Sequence, residues 1–114
     1  MTTICCDYDS PAAPAQLIDR ITQCCRLWGW DVRAVRYDRT RRGWHVLVFI
    51  ANDVPPPLVL AAQAIWGSDW RREMFNLRRV QHLDGVPAYW RSRWNVLYEE
   101  HIRGIKIGVK IPNT

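Results

Sequence analysis

The chain has 114 residues, enough for one domain spanning positions 1–114 and too few for a second core. Of these residues 48% are hydrophobic and seven are Trp, so a core can form without disulfides or metal ions. The net charge is +5, and 14 of the 16 basic residues are Arg, whose planar guanidinium binds phosphate bidentately. An Arg-rich proteome would also produce this bias, but together with the placement of the charges it favours nucleic acid as the partner.

The sequence also predicts a soluble, cytoplasmic protein. The first ten residues contain Asp7 and Asp9, where a secretory leader requires an uncharged apolar stretch. No apolar run approaches the roughly 20 residues that a membrane span needs, so we expect no membrane partner. The four cysteines form adjacent pairs at 5–6 and 24–25 without zinc-binding spacing. We interpret them as reduced core residues.

The first half of the chain predicts a strand, a helix and a hairpin. Residues 3–9 alternate in the manner of a strand. Residues 10–29 carry apolar side chains at helical spacing and end at a glycine suited to a C-cap. Residues 31–38 and 44–51 are rich in β-branched and aromatic residues, and the short connection 39–43 predicts that they pair.

The second half predicts helices followed by strands. Three prolines precede a helix at 58–66, and a Gly-Ser break precedes another at 68–80, capped by its first serine or aspartate. A short helix is predicted at 89–94 and a fourth strand at 95–101. Residues 104–111 alternate isoleucine or valine with lysine and glycine, which indicates an edge strand protected by lysines.

This order, β-α-β-β-α-β plus a C-terminal edge strand, predicts an α+β fold of the ferredoxin-like or RRM-like split βαβ type. Its strand order is 4-1-3-2, with both helices on one face. Trp44, Val46 and Val48 are predicted beneath the helices. His45 is predicted on the opposite, open face, in company with Leu47.

Three residues suited to phosphate chemistry converge at one end of the predicted sheet. Asp7 and Asp9 are two apart on strand 1, roughly 6–7 Å between Cα atoms, so their carboxylates can bind Mg²⁺ or Mn²⁺. Strand 3 runs antiparallel to strand 1, which places His45 beside them. We predict these three as catalytic residues and the two aspartates as metal ligands. Solvated acids leading into a turn are the alternative interpretation.

Arginines cluster in the hairpin turn and in the segment 71–93. Three of them in a five-residue turn have no packing role that the sequence indicates, and phosphate binding explains them. In the segment 71–93, a solvated helix face interleaved with Trp is the alternative interpretation. The predicted nucleic-acid- and phosphate-binding residues are Arg39, Arg41, Arg42, Arg71, Arg72, Arg91 and Arg93.

These motifs resemble the catalytic core of the archaeo-eukaryotic primase-polymerase superfamily, in a minimal or degenerate form. D-Y-D at residues 7–9 resembles the D-x-D motif that ends the first strand, and R-T-R-R-G-W-H at 39–45 resembles the small-x-H motif of a later strand. The resemblance implies metal binding by Asp7 and Asp9, contact of His45 with nucleotide phosphate, and nucleotidyl transfer from nucleoside triphosphates on nucleic acid. The family's third acidic residue has only Glu99 as a candidate, predicted well away from the site.

Two other functions stay open at this point. One is a non-catalytic RRM-like module that binds single-stranded nucleic acid by stacking on Phe49 and Tyr37. The other is a viral or plasmid protein-interaction domain, in which the Trp-rich segment 66–94 docks a partner or forms a homodimer.

Overall fold

The computed structural model describes residues 1–9, 15–85, 93–95, 100–102 and 105–107. It is a small α+β structure with a three-stranded antiparallel sheet and three α-helices. The elements in chain order are β1 (Thr2–Tyr8), α1 (Ala15–Trp28), β2 (Val32–Arg39), β3 (Trp44–Ile50), α2 (Pro56–Ile65), α3 (Trp70–Gln81), a short 3₁₀ helix (Leu83–Gly85), β4 (Glu100–Ile102) and β5 (Ile105–Ile107).

The main sheet has the order β1-β3-β2, and both pairings are antiparallel. This confirms the predicted hairpin and the predicted adjacency of the first and third strands. Ile4 pairs with Val48 and Cys6 with Val46, so the apolar alternation of the two strands is in phase. A slip of one residue would turn one strand over relative to its partner and disrupt the packing of the core, so burial fixes this register.

The main core lies between one face of the sheet and the helices α1 and α2. All of its residues are at most 8% exposed, and the apolar stripes of both helices point into it because burial of apolar surface drives their packing. The placement of these two helices on a single face agrees with the sequence prediction. The core comprises Ile4, Cys6, Leu17, Ile21, Cys25, Val46, Val48, Ile50, Val59, Ala62, Trp66 and Trp94.

The opposite face of the sheet is not open, which corrects the prediction. Cys5 and Leu47 are fully buried there and form a second apolar cluster with Phe49. His45 shares this face and is only 4% exposed. Both β1 and β3 thus contribute apolar side chains to each face of the sheet. Burial of these side chains on both faces stabilises the sheet.

The outer edge of β1 bonds to side chains and backbone of the α2–α3 region. The amide of Cys5 donates to Gln63 Oε1 (3.0 Å), and its carbonyl accepts from Arg72 Nη1 (2.7 Å). The amide of Asp7 donates to Ser68 Oγ (2.9 Å), and its carbonyl accepts from the amide of Asp69 (2.6 Å). These bonds satisfy backbone groups that a neighbouring strand would otherwise pair.

The buried carboxylate of Glu73 connects these edge-binding groups. Its Oε1 accepts from Gln63 (2.7 Å) and Asn76 (2.8 Å), and its Oε2 accepts from Ser68 (2.6 Å) and Arg72 (2.7 Å). Every one of these side chains is at most 8% exposed. A buried charge requires this degree of pairing, so the network fixes α3 against β1.

Of the predicted strand order 4-1-3-2, the adjacency of strands 1, 3 and 2 is confirmed and the position of strand 4 is not. In the described residues, β4 pairs with β5 in a separate two-stranded antiparallel sheet. At Cys5 and Asp7 the place predicted for strand 4 is taken by the α2–α3 region. The predicted helix at 89–94 falls mainly outside the described residues.

The helix ends follow local chemistry. Gly29 has φ of +75°, the left-handed conformation that ends α1 as predicted. Asp69 caps α3, because its carboxylate accepts from the amide of Arg71 at 3.0 Å. Among the described helices, none combines the length and the hydropathy needed to cross a membrane.

We predict that Glu73→Gln lowers the free energy of unfolding by about 3–5 kcal/mol, because it leaves Arg72 as an uncompensated buried charge. Guanidinium denaturation measures the loss. The matched control, Asp19→Asn, removes an exposed carboxylate of α1 and should change stability by less than about 0.5 kcal/mol. Equal effects of the two variants would contradict the central role of Glu73.

Candidate functional site

Asp7 and His45 face each other across the β1–β3 pairing. They are register partners, and His45 Nε2 lies 3.5 Å from Asp7 Oδ1. The predicted neighbourhood of these two residues is therefore confirmed. His45 is buried, whereas the side chain of Asp7 is 31% exposed. The carboxylate thus stands between the buried imidazole and solvent, where it can accept from the imidazole and still meet a solvent-borne ligand.

A second carboxylate, that of Asp38, lies on the other side of His45. Asp38 on β2 is the register partner of His45, so Asp38, His45 and Asp7 form a row across three strands. Arg36 holds Asp38 from the same face, with Nε 3.2 Å from Oδ2. The sequence analysis missed Asp38, although counting back through the turn at 40–43 pairs position 38 with position 45.

Asp9 follows the end of β1 and is exposed. It lines an open pocket of about 330 Å³ together with Tyr8, Gly67, Asp69 and Arg71. Asp69 comes from the α2–α3 turn and was missed as a site residue, because the sequence indicated only its capping role. The pocket therefore combines two carboxylates and one guanidinium beside the strand end that carries Asp7.

The donor set at this strand end suits a hard divalent cation. Mg²⁺ is commonly bound by one or two carboxylates plus water and substrate phosphates, and Asp7 and Asp9 supply two partly or fully exposed carboxylates. Among the residues that the structure describes, no group of three or more His, Cys, Asp or Glu side chains is arranged to hold a metal ion. The protein's ligands would therefore need completion by phosphate and water.

The arginine turn lies at the same end of the sheet as Asp7. Tyr8 pairs with Trp44, so the turn that precedes Trp44 adjoins the end of β1. The amide of Thr40 donates to the carbonyl of Gly43 (2.9 Å), and the intervening Arg41 and Arg42 are exposed at the tip. The turn thus presents cationic side chains to solvent beside the acidic strand end.

Arg39 points to the other face of the sheet. Arg39 pairs with Trp44, which lies on the sheet face that carries the main core. The guanidinium carbon of Arg39 lies 5.2 Å from the centre of the Trp44 indole ring. Tyr37 contacts the same ring edge-on at 6.4 Å. Trp44 is half-buried and lies outside the main core cluster, which corrects its predicted position beneath the helices.

The remaining predicted arginines differ in their placement. Arg71 lines the pocket of Asp9, and Arg93 is exposed. Arg72 is 8% exposed. Its guanidinium donates to the carboxylate of Glu73, the backbone carbonyl of Cys5 and the side chain of Asn95. Because these internal partners occupy it, we remove Arg72 from the phosphate-binding set. Arg91 lies outside the described residues.

The cysteines and the tyrosine near this site are not poised as nucleophiles. Burial raises the pKa of Cys5 to about 12 and that of Cys25 to about 11, and it raises the pKa of Cys6 further. Burial is also the largest cause of the raised pKa of Tyr8, whose hydroxyl donates to the carbonyl of Trp66 at 2.7 Å. All four cysteines are free thiols, as the sequence analysis predicted.

Comparisons of the chain with protein-family models, with curated proteins and with solved structures each returned no match.

We predict that iodoacetamide at pH 8 modifies Cys5, Cys6 and Cys25 at least about 100-fold more slowly in the folded than in the denatured protein, because burial keeps these thiols protonated. Mass spectrometry of quenched samples measures the rates. Cys24, the least buried of the four, is the internal control and should react first.

The raised pKa values also set a pH dependence. The unfolded chain releases its thiol protons from about pH 9, the ordinary pKa, whereas folded Cys5 holds its proton to about pH 12. Thermal stability should therefore fall as pH rises through this window. Stability that is constant between pH 9 and 11 would contradict the burial of these thiols.

Proposed function

We propose that this chain is a nucleotide- and nucleic-acid-handling domain with a site of the primase-polymerase type. The observation that carries the proposal is the pairing of Asp7 with His45, at the sheet end that also bears the arginine turn. The resemblance of the D-x-D and small-x-H motifs requires this adjacency. Two motifs separated by 29 residues along the chain, at 7–9 and 39–45, therefore meet in space in the manner that a common site needs.

Each side chain has a distinct part in the proposed site. Asp7 and Asp9 would hold Mg²⁺ or Mn²⁺, which on binding would neutralise charge on a triphosphate. His45 would donate towards Asp7 and orient that carboxylate, which stands between the buried imidazole and a phosphate held there. Arg41 and Arg42 extend into solvent beside the site and attract the polyphosphate or the nucleic-acid backbone.

Asp69 is proposed as a further carboxylate of this site. The bond between its amide and the carbonyl of Asp7 fixes it at the end of β1, and its side chain shares a pocket with Asp9. Glu99, the candidate that the sequence offered, lies outside the described residues. Asp69 would thus supply a further carboxylate at the end of β1.

A shortened split βαβ frame fits this site. The segment β1-α1-β2-β3, with the order β1-β3-β2 and α1 on one face, is common to ferredoxin-like and RRM-like folds. In the proposed form, the side chains of Gln63, Ser68 and Arg72 take the place of a fourth strand beside the middle of β1.

A second function, non-catalytic binding of single strands, is favoured by one observation. Tyr37 is 39% exposed and lies against Trp44, over which Arg39 is positioned. Aromatic rings beside a guanidinium form a platform for stacking bases and binding phosphate. This platform is on the sheet face opposite His45, so the two functions can be separated by mutation.

We predict that calorimetric titration of the protein and Mn²⁺ with a nucleoside triphosphate gives binding heat, and that Asp9→Asn weakens this binding at least about tenfold because one metal ligand is lost. Asp19→Asn, which removes an exposed carboxylate of α1, should bind as the wild type does. Wild-type protein without binding heat, or Asp9→Asn with unchanged affinity, would refute the metal site.

We also predict that single-stranded oligonucleotides bind with an affinity that falls with salt, because arginine–phosphate contacts release counterions. Replacing Arg39, Arg41 and Arg42 with Ala should weaken binding and reduce the slope of log K against log salt by about 2. Fluorescence anisotropy across a salt series measures both quantities.

The charge-matched control replaces three exposed arginines outside the turn, at positions 20, 26 and 33, with Ala. This control should bind the oligonucleotide more tightly than the turn variant does, and its log K should fall more steeply with log salt. Equal losses in the two variants would show that net charge alone binds the oligonucleotide.

A further inference from the structure

The helix α3 has its polar face buried and its apolar face in solvent. Arg72, Glu73 and Asn76 point inward, each at most 8% exposed. Outward, four large apolar side chains are exposed by about half or more: Trp70 by 67%, Met74 by 50%, Phe75 by 56% and Leu77 by 47%. An amphipathic helix on a core usually shows the reverse arrangement.

The inward face of α3 cannot turn outward. Glu73 binds groups from α2, α3 and the α2–α3 turn, and Arg72 binds the backbone of β1. Rotating the helix would leave these charges buried without partners, which is costly. The exposure of the apolar face is therefore built into the fold.

The exposed apolar side chains form a continuous stripe. Trp70, Met74 and Leu77 stand at i, i+4 and i+7, which places them one above another along the helix. Contiguous exposed apolar patches of this kind mark interaction sites. These three residues define the α3 stripe, and Phe75 lies across a row of arginines from it.

The charges beside the α3 stripe are cationic. Arg71 and Arg78, seven residues apart, run in a row between Met74 and Phe75 by helical geometry. The single acidic residue of α3, Glu73, is buried in the network. An occupant of this surface therefore has to supply apolar contacts for the stripe and negative charge for the arginine row.

We infer that the α3 stripe docks an acidic amphipathic helix of a partner protein. Such a helix carries apolar residues at i, i+3 or i+4 and i+7, with Asp or Glu alongside, and matches the surface in both spacing and charge. A second copy of this chain matches less well, because each copy carries a net charge of +5 and brings its own arginine row. Nucleic acid satisfies the arginines but offers little to cover the aliphatic side chains of Met74 and Leu77.

This inference does not depend on the proposed nucleotide site. The α3 stripe is formed by α3 alone, whereas Asp7, Asp9 and His45 lie on β1 and β3 or at their ends. A variant of Met74 thus tests the stripe without altering the groups that would bind metal and triphosphate.

The test is selection of a displayed library of random 16-residue peptides on the full chain, with no variant used during the selection. We expect the enriched peptides to be acidic and to repeat apolar residues at helical spacing. A synthetic peptide of the enriched sequence, measured by fluorescence anisotropy, should bind Met74→Glu and Arg78→Glu at least tenfold more weakly than the wild type.

Leu27→Glu is the matched control, because it places an acid at an apolar residue of α1 that is 83% exposed. It should bind the peptide as the wild type does. Circular dichroism spectra of all variants should coincide, since each changed side chain is at least half exposed or lies on the solvent face.

Three results would overturn the inference. Enriched peptides that are neutral or basic, or that bind Met74→Glu unchanged, would show that the stripe is not the docking site. An oligonucleotide that displaces the peptide from the wild type, and that binds Arg78→Glu more weakly, would identify nucleic acid as the occupant. A concentration-dependent dimer in sedimentation, lost in Met74→Glu, would identify a second copy.

Discussion

The buried carboxylate of Glu73 ties α2, α3 and β1 together. It accepts four hydrogen bonds, and the groups that donate them are those that bind the outer edge of β1 or lie beside them. A charge buried to this extent is tolerated only with full pairing, so α2, α3 and β1 hold one relative position. The same requirement closes an edge that would otherwise offer unpaired backbone groups to another chain.

Both surfaces for which we propose a function follow from this constraint. Fixing the α2–α3 turn against β1 brings Asp69 to the strand end and forms the pocket that it shares with Asp9. Drawing the polar side of α3 inward leaves Trp70 and Met74 in solvent. The proposed nucleotide site and the proposed partner surface thus depend on one network, and they share Arg71, which lines the pocket and belongs to the arginine row.

The regions of this fold governed by local periodicity could be predicted from the sequence. The alternation of β1 and β3 predicted the two strands, and the split βαβ order of the elements predicted their antiparallel pairing and with it the Asp7–His45 contact. The closed second face and the site of Asp69 could not be predicted, since they depend on contacts between distant segments. Arg72 illustrates the limit: an arginine that binds a buried glutamate and one that binds phosphate look alike in a sequence.

The position of a bound cation decides whether the acidic end of β1 is a metal site. Amide spectra of isotopically labelled protein, recorded while Mn²⁺ is added in the presence of a nucleoside triphosphate, report distance from the paramagnetic ion. We expect the signals of Asp7, Asp9 and His45 to broaden first, followed by those of Asp69 and its neighbours. Uniform broadening, or broadening centred on acids remote from β1 such as Asp31 or Asp84, would contradict a site at the Asp7–His45 pair.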